Sequence, residues 1–421
     1  MKQRVYLCID LKSFYASVEC VERGLDPMTA RLVVADPARS EKTICLAVTP
    51  AMKALGVHNR CRIFEIPGYI SYITAEPRMR LYIQYAAEVY GVYLSYLAKD
   101  DIHVYSVDEA FLDVTDYLSM YRMEPETLAR TIRNSVLQKT GLPAACGIGT
   151  NLYLAKVALD IAAKHARDLT AYLDEETYRA SLWEHRPITD FWRIGPGIAK
   201  RLARQGIYTM RDVARADVDS LYRIFGVDAE LLIDHAWGRE PVTIADIKAY
   251  RPRTNCLTSG QVLMRDYTFS EGRLIVKEMM DLLCLDMVDR GLVTDSISLY
   301  VGYAGSSHVN AAKGSASLGR PTNADNLLVP AAAALYGRIV DGRYPIRRVH
   351  ISCNHVAPEA YMQYNLLEDA GRLERSRSAQ QAAIGIKKRF GKNAILRAMN
   401  LESAATTPQR NRQIGGHKSG E

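Results

Sequence analysis

Tyr105–Val114, YSVDEAFLDV, sets two adjacent carboxylates, Asp108 and Glu109, between apolar strand-like runs. Ile102, Val104, Ala110, Leu112 and Val114 alternate as the strands of a half-buried hairpin do. Unpaired charge does not survive desolvation, so an acidic pair in that setting needs a positive partner. The hairpin holds no Lys or Arg, which points to a cation from outside the motif.

Upstream, VYLCID (5–10) reads as a buried strand ending in Asp10, and from Ser13 the pattern turns helical. Phe14, Val18 and Val21 fall on one helix face, with Ser13 available as N-cap. RLVVAD (31–36) and TICLAVT (43–49) read as strands, and PAMKALGV as a short helix with Pro50 in its first turn. Helical periodicity returns over 77–98. After the hairpin come a helix over 125–139, the strand AACGIGT (144–150) and the helix LYLAKVALDIAAKHA (152–166). Strands and helices thus alternate as βαβ with an inserted hairpin, an α/β layer of the ferredoxin-like kind that ends near residue 170. In such a layer the ends of adjacent strands converge, which carries Asp10 toward Asp108 and Glu109. Oxygen-only ligation suits Mg²⁺. Two such ions about 3.5–4 Å apart would stabilise an in-line phosphoryl displacement, with a nucleoside triphosphate as the substrate they carry.

Downstream the texture changes. Residues 185–240 read as short helices punctuated by glycine, among them IGPGIAKRLARQGI (194–207), where Gly195, Gly197 and Gly206 flank the basic Lys200, Arg201 and Arg204. Glycine turns around a short helix expose backbone N–H groups that bind phosphate without reading sequence, and the element resembles a helix-hairpin-helix. Residues 250–356 read as an α+β domain. Beyond Ala357 the pattern is polar and irregular, marginally helical over 379–399. Residues 356–421 carry 11 Lys and Arg against 6 Asp and Glu, so most of the formal charge of +7 lies in a basic tail suited to a polyanion partner. The eight cysteines form no C-x-x-C pair, which argues against structural zinc and for a reducing compartment. No apolar stretch is long enough to span a bilayer, and the expectation is a soluble cytoplasmic monomer.

VYLCIDLKSFYASVE, YSVDEAFLDVT, CGIGTNLYLAKVALDIAAKH and the 194–207 glycine element occur in that order. Together they resemble the Y-family (translesion) DNA polymerases of the UmuC-like branch over roughly residues 4–240, and 250–356 resembles the little finger in length and pattern. The resemblance implies an α/β and α+β multidomain right-hand polymerase. Its ferredoxin-like palm would span 1–30 and 76–170, small fingers 31–75, and a helix-hairpin-helix thumb 171–240. A little finger would follow at 250–356 and a basic tail at 357–421. It implies error-prone, template-directed DNA synthesis across damaged DNA in SOS-type damage tolerance. Two Mg²⁺ ions, primer–template DNA and dNTP are the implied partners.

Asp10, Asp108 and Glu109 match the metal-binding acids, Glu109 the acid usually named as the active-site residue, and Leu11 the position that donates a backbone carbonyl. Tyr15 matches the steric gate that excludes a ribose 2′-OH; Phe14 beside it reads either as part of that site or as core. In place of the family's Tyr-x-x-Arg the chain has Pro50 and Lys53, which keeps the charge but not the bidentate geometry. The phosphate-holding lysine comes one residue late, as Lys164. QYNLLED (363–369) resembles a sliding-clamp peptide anchored by Gln363, Leu366 and Leu367. On residues alone two other classes stay open. A nucleotidyl cyclase would have no use for the glycine-turn module, and a catalytically silent repair accessory would need the acids replaced.

Overall fold

In the computed structural model, which describes residues 3–39, 42–252, 255–360 and 370–420, the first apolar run is β1 (Tyr6–Leu11), followed by α1 (Phe14–Val21). Next come β2 (Leu32–Val34), β3 (Ala47–Val48), α2 (Pro50–Ala54), β4 (Ile73–Ala75) and α3 (Met79–Leu94). The acidic hairpin is β5 (Ile102–Val104) and β6 (Glu109–Asp113). α4 (Tyr117–Tyr121), α5 (Pro125–Thr140), β7 (Ala144–Gly149), α6 (Leu152–Val157) and β8 (Thr170–Leu173) complete this layer.

β1 lies in the middle of a sheet of order β5-β6-β1-β7-β8, antiparallel to both neighbours. A strand covered on both faces has no solvent side to mark with polar residues, hence the unbroken apolar run Tyr6–Ile9. The same holds for β6. Glu109 through Asp113 are all buried, so the alternation expected of a half-buried hairpin is absent there, and Val104 on the edge strand is exposed. Ser13 also departs from expectation. It adopts φ +48° and makes no cap bond, and its buried hydroxyl has no partner among the described residues.

Glycine has a steric reason in β7. A Cβ at Gly147 would lie 2.1 Å from the Ala155 carbonyl oxygen and 2.3 Å from the Leu159 nitrogen. Those are backbone atoms of the helix laid across the strand, and they cannot turn away. Gly147→Ala is expected to cost about 3 kcal/mol of stability through overpacking, measurable by thermal or denaturant unfolding against wild type. Past α6 the helix widens. Residues Ala158–Ala163 are π-helical, with the Lys164 N–H bonded to the Leu159 carbonyl at 3.1 Å. A π turn takes up one extra residue, which accounts physically for the late position of Lys164.

Two further parts belong to this unit, which runs through Tyr250. A small sheet of order β3-β2-β4 packs Val33, Cys45, Val48 and Met52 into its own core and carries Lys53 on α2. Five helices then follow α7 (Glu175–Leu182): α8 (Pro196–Ala203), α9 (Met210–Arg215), α10 (Val218–Phe225), α11 (Asp228–Ala236) and α12 (Ile244–Ala249). Leu202, Met210, Leu221 and Phe225 share one core with Tyr153 and Val157 of α6.

The second unit begins at Arg251. β9 (Leu257–Tyr267), α13 (Phe269–Arg290), β10 (Leu292–Tyr303), β11 (Ala312–Thr322), α14 (Asp325–Ile339) and β12 (Ile346–Asn354) form an antiparallel sheet of order β11-β10-β12-β9, and α13 and α14 contribute Ile275, Met279, Leu328 and Tyr336 to its core. The expected irregular tail is corrected here. Residues Ala370–Phe390 form α15, starting earlier than the marginal helix at 379, and the segment after it is anchored on α13. Glu278, 1% exposed, accepts hydrogen bonds from Asn400 Nδ2 and from the Thr406 N–H, each at 2.8 Å. Arg397 pairs with Asp281 at 2.7 Å and with Asp325. Hydrogen bonds to a buried carboxylate and ion pairs hold this segment beside the core contacts of Met399, Ala404 and Ala405, so hydrophobic periodicity gave little sign of it. Gln363, Leu366 and Leu367 lie outside the described residues.

Candidate active site

Side chains alternate along a strand, so Tyr6, Cys8 and Asp10 point to one face of β1. It is the face α6 covers, since Tyr6 and Cys8 share a core with Leu152, Ala155 and Leu159. Asp10 is the last of the three, at the strand end. Antiparallel register sets Glu109 directly opposite it, and the Leu11 N–H donates to the Asp108 carbonyl at 3.0 Å. The three acids, distant in sequence, therefore meet at one end of two neighbouring strands.

Their positive partners come from the chain itself. Lys156 Nζ lies 2.7 Å from Glu109 Oε2, and Lys164 Nζ lies 2.6 Å from Asp10 Oδ2. Asp160 sits between the two lysines, 3.0 Å from Lys156 and 2.8 Å from Lys164. Glu109, Lys156, Asp160, Lys164 and Asp10 thus form one chain of alternating sign. The hairpin itself holds no Lys or Arg, and the outside cation that meets it here is a lysine of α6. Lys156 and Asp160 were missed, although 156, 160 and 164 repeat at a spacing of four, which marks one helix face. Asp108 is held differently, accepting from Ser106 Oγ at 2.6 Å.

Burial raises the pKa of Asp10, and repulsion from Asp108 adds to it, against the pull of Lys164. Burial likewise raises Glu109 against the pull of Lys156. Among the described residues no group of three or more His, Cys, Asp or Glu side chains is arranged to hold a metal ion, and Asp10 and Glu109 are each paired with a lysine. The donor set is nonetheless all oxygen, in strand-end register, and mutually repulsive. It fits a hard divalent ion such as Mg²⁺ and lacks the nitrogen and thiolate ligands zinc prefers.

A cluster of ammonium groups borders the acids. Lys12 Nζ donates to the Lys164 carbonyl at 2.9 Å. Burial, then repulsion from Lys53 and Lys164, lowers the Lys12 pKa, and burial lowers that of Lys53. Lys53 and Lys164, singled out in the sequence, thus lie in one another's electrostatic field, and Lys12 joins them unannounced. Crowded ammonium groups favour a polyanion.

Tyr15 is half-buried at the start of α1. Its ring stacks on Tyr82 with centroids 4.6 Å apart, and Phe14 lies 5.3 Å away. The Tyr82 hydroxyl donates to Glu19 at 2.8 Å, and Glu19, fully buried, also accepts from Arg78 Nε at 3.0 Å and Nη2 at 2.9 Å. Burial and then the charge of Asp108 raise the Tyr15 pKa, so its phenol lies in the field of the acids. Phe14 is only 2% exposed. It packs in the core and offers no ring surface to a substrate.

Gly195 precedes α8, whose N-terminus has no side-chain cap. A Cβ at Gly195, Gly197 or Gly206 would meet nothing within 4 Å, so packing does not demand these glycines; only Gly206, at φ +74°, has a backbone reason. Lys200 is exposed on that helix, while Arg201 lies over the Phe225 ring at 4.4 Å.

The impB/mucB/samB family matches residues 9–160, and the C-terminal domain of the same family matches 257–366. UvrX of Bacillus subtilis (strain 168), whose name ties it to UV-damage repair, is 30% identical over 419 residues, 98% of this chain and 97% of its own. The chain belongs to the Y family of DNA polymerases. Two relatives of this Y-family chain are named for polymerase activity. "DNA polymerase IV 2" of the same Bacillus strain is 28% identical, covering 99% of both chains. "DNA polymerase IV" of Pelotomaculum thermopropionicum is 27% identical, over 96% of this chain and 97% of that one. Among solved structures, a Y-family chimera of Dbh and Dpo4 superposes with a TM-score of 0.63 at 20% identity, covering 84% of this chain and 99% of that one; it supports the fold. Family membership sets the cyclase alternative aside. No described helix is long and apolar enough to cross a membrane.

Proposed function

We propose that this chain catalyses template-directed, error-prone DNA synthesis across damaged positions, joining the α-phosphate of a dNTP to a primer 3′-hydroxyl with release of pyrophosphate. The observation that carries this reading is the strand-end meeting of Asp10, Asp108 and Glu109, with Lys164 paired to Asp10, Lys12 and Lys53 in its field, and Tyr15 in the field of Asp108. The relatives named DNA polymerase IV support it.

Asp10, Asp108, Glu109 and the backbone carbonyl of Leu11 would hold two Mg²⁺ ions, which supply charge neutralisation to the attacking and leaving oxygens. Lys12, Lys53 and Lys164 draw in the triphosphate, and Lys164 exchanges Asp10 for a phosphate oxygen. Tyr15 lies under the sugar, where its ring leaves no room for a 2′-OH. Gly195, Gly197, Gly206 and Lys200 take the DNA backbone through main-chain N–H groups and one ammonium. In this reading 1–30 and 76–170 are the palm, 31–75 the fingers, 171–240 the thumb and 250–356 the little finger.

The test is primer extension by the purified chain with Mg²⁺ and dNTPs, on an intact template and on one with an abasic site. Extension through both is expected. Failure on the intact template would overturn the polymerase reading, whereas arrest only before the abasic site would overturn lesion bypass alone.

A further inference from the structure

We propose that Lys156 is a built-in counter-cation, occupying Glu109 until a divalent ion displaces it, and that Asp160 is the seat that receives it. The inference rests on the reading of Asp10, Asp108 and Glu109 as ion ligands, and adds to it a competitor supplied by the chain.

Lys156 is 7% exposed on its side chain and has two acidic partners, Glu109 at 2.7 Å and Asp160 at 3.0 Å. Among the described residues the other oxygen of Glu109 accepts only the Cys8 thiol, at 3.3 Å, a weak donor. Without Lys156 the buried carboxylate would keep no cationic partner among the described residues, a costly state. Lys164 repeats the arrangement, with Asp10 at 2.6 Å and Asp160 at 2.8 Å. Each lysine therefore bridges one proposed ion ligand and one acid, Asp160, that is not among those ligands. A divalent ion reaching Glu109 meets the Lys156 ammonium head-on. Like charge expels it, and the move is short because Asp160 lies one helical turn along the same face. Ion binding is thereby weakened in the empty enzyme and is strongest when something else, such as a triphosphate, engages the lysines.

The test uses Mn²⁺ alone, without nucleotide or DNA, titrated into the full chain and followed by the electron paramagnetic resonance of the free ion. Lys156→Met should bind Mn²⁺ about tenfold tighter than wild type, the effect of removing one charge-assisted competitor. It should also melt at a lower temperature than wild type without Mn²⁺ and gain more from its addition. Asp160→Asn, which leaves Lys156 with Glu109 alone, should bind several-fold more weakly, and it carries the test if Lys156→Met does not fold. Unchanged Mn²⁺ affinity in both variants, while Asp10→Asn still weakens it, would overturn the competitor role and leave the ion site standing. Equal Mn²⁺ binding by wild type and Asp10→Asn would instead overturn the ion-site reading itself, and the counter-cation with it.

Discussion

Asp108→Ala is expected to lower nucleotide incorporation by about 10³-fold or more, while affinity for primer–template DNA stays within about twofold. The magnitude follows from what the position is asked to do. Groups fixed in advance where charge develops in a transition state are each worth about 10²–10³ in rate, and an acid that also holds an ion loses the ion's contribution with its own. Folding should survive. Asp108 is half-buried, and its side chain is bonded locally, to Ser106 at 2.6 Å; the strand pairing at that point uses its carbonyl, which alanine keeps. Asp10 and Glu109 are poorer choices, because removing either breaks an ion pair and leaves its lysine with Asp160 alone. Single-turnover extension and a DNA-binding titration on the same preparation separate the two quantities. Extension within tenfold of wild type would remove Asp108 from the chemistry.

Tyr15→Ala should let ribonucleotides in, narrowing the preference for dNTP over rNTP by about 10²-fold, or roughly 2.7 kcal/mol at 1.36 kcal/mol per decade. Selection against a 2′-OH works by exclusion, a clash built against the wrong substrate, and such a clash disappears with the ring. The ring cannot yield easily in the wild type. It stacks on Tyr82 at 4.6 Å, and Tyr82 is tied through its hydroxyl to the fully buried Glu19. Competing incorporation of dCTP and CTP opposite a template guanine reads the ratio directly. An unchanged ratio would show that Tyr15 does not meet the sugar.

The parts of this fold that could be read from sequence are those whose physics is local. β1 announced itself because a strand buried on both faces must be apolar without interruption, and the helix read over 125–139 is found as α5, Pro125–Thr140. The meeting of Asp10 with Glu109 followed from strand order alone. What stayed hidden depended on contacts at a distance. Lys156 pairs with Glu109 across 47 residues, and nothing near either residue names the other. Tyr82 and Glu19 support Tyr15 from α3 and from farther along α1, a relation of stacking and hydrogen bonding that leaves no periodic trace. Lys164 stands one residue later than the resembled family's spacing, and the π turn before it takes up one residue. The segment after Phe390 looked like tail because it is held by hydrogen bonds to Glu278 and ion pairs of Arg397.

The most direct measurement is anomalous diffraction at the manganese edge from crystals of the full chain grown with primer–template DNA, a non-hydrolysable dNTP and Mn²⁺. Two peaks are expected beside the carboxylates of Asp10, Asp108 and Glu109, at about 2.0–2.4 Å from their oxygens, with Lys156 drawn back to Asp160. Nucleotide bound in the site while Asp10 and Glu109 still grip their lysines, and manganese lodged elsewhere, would contradict the carboxylate cradle outright.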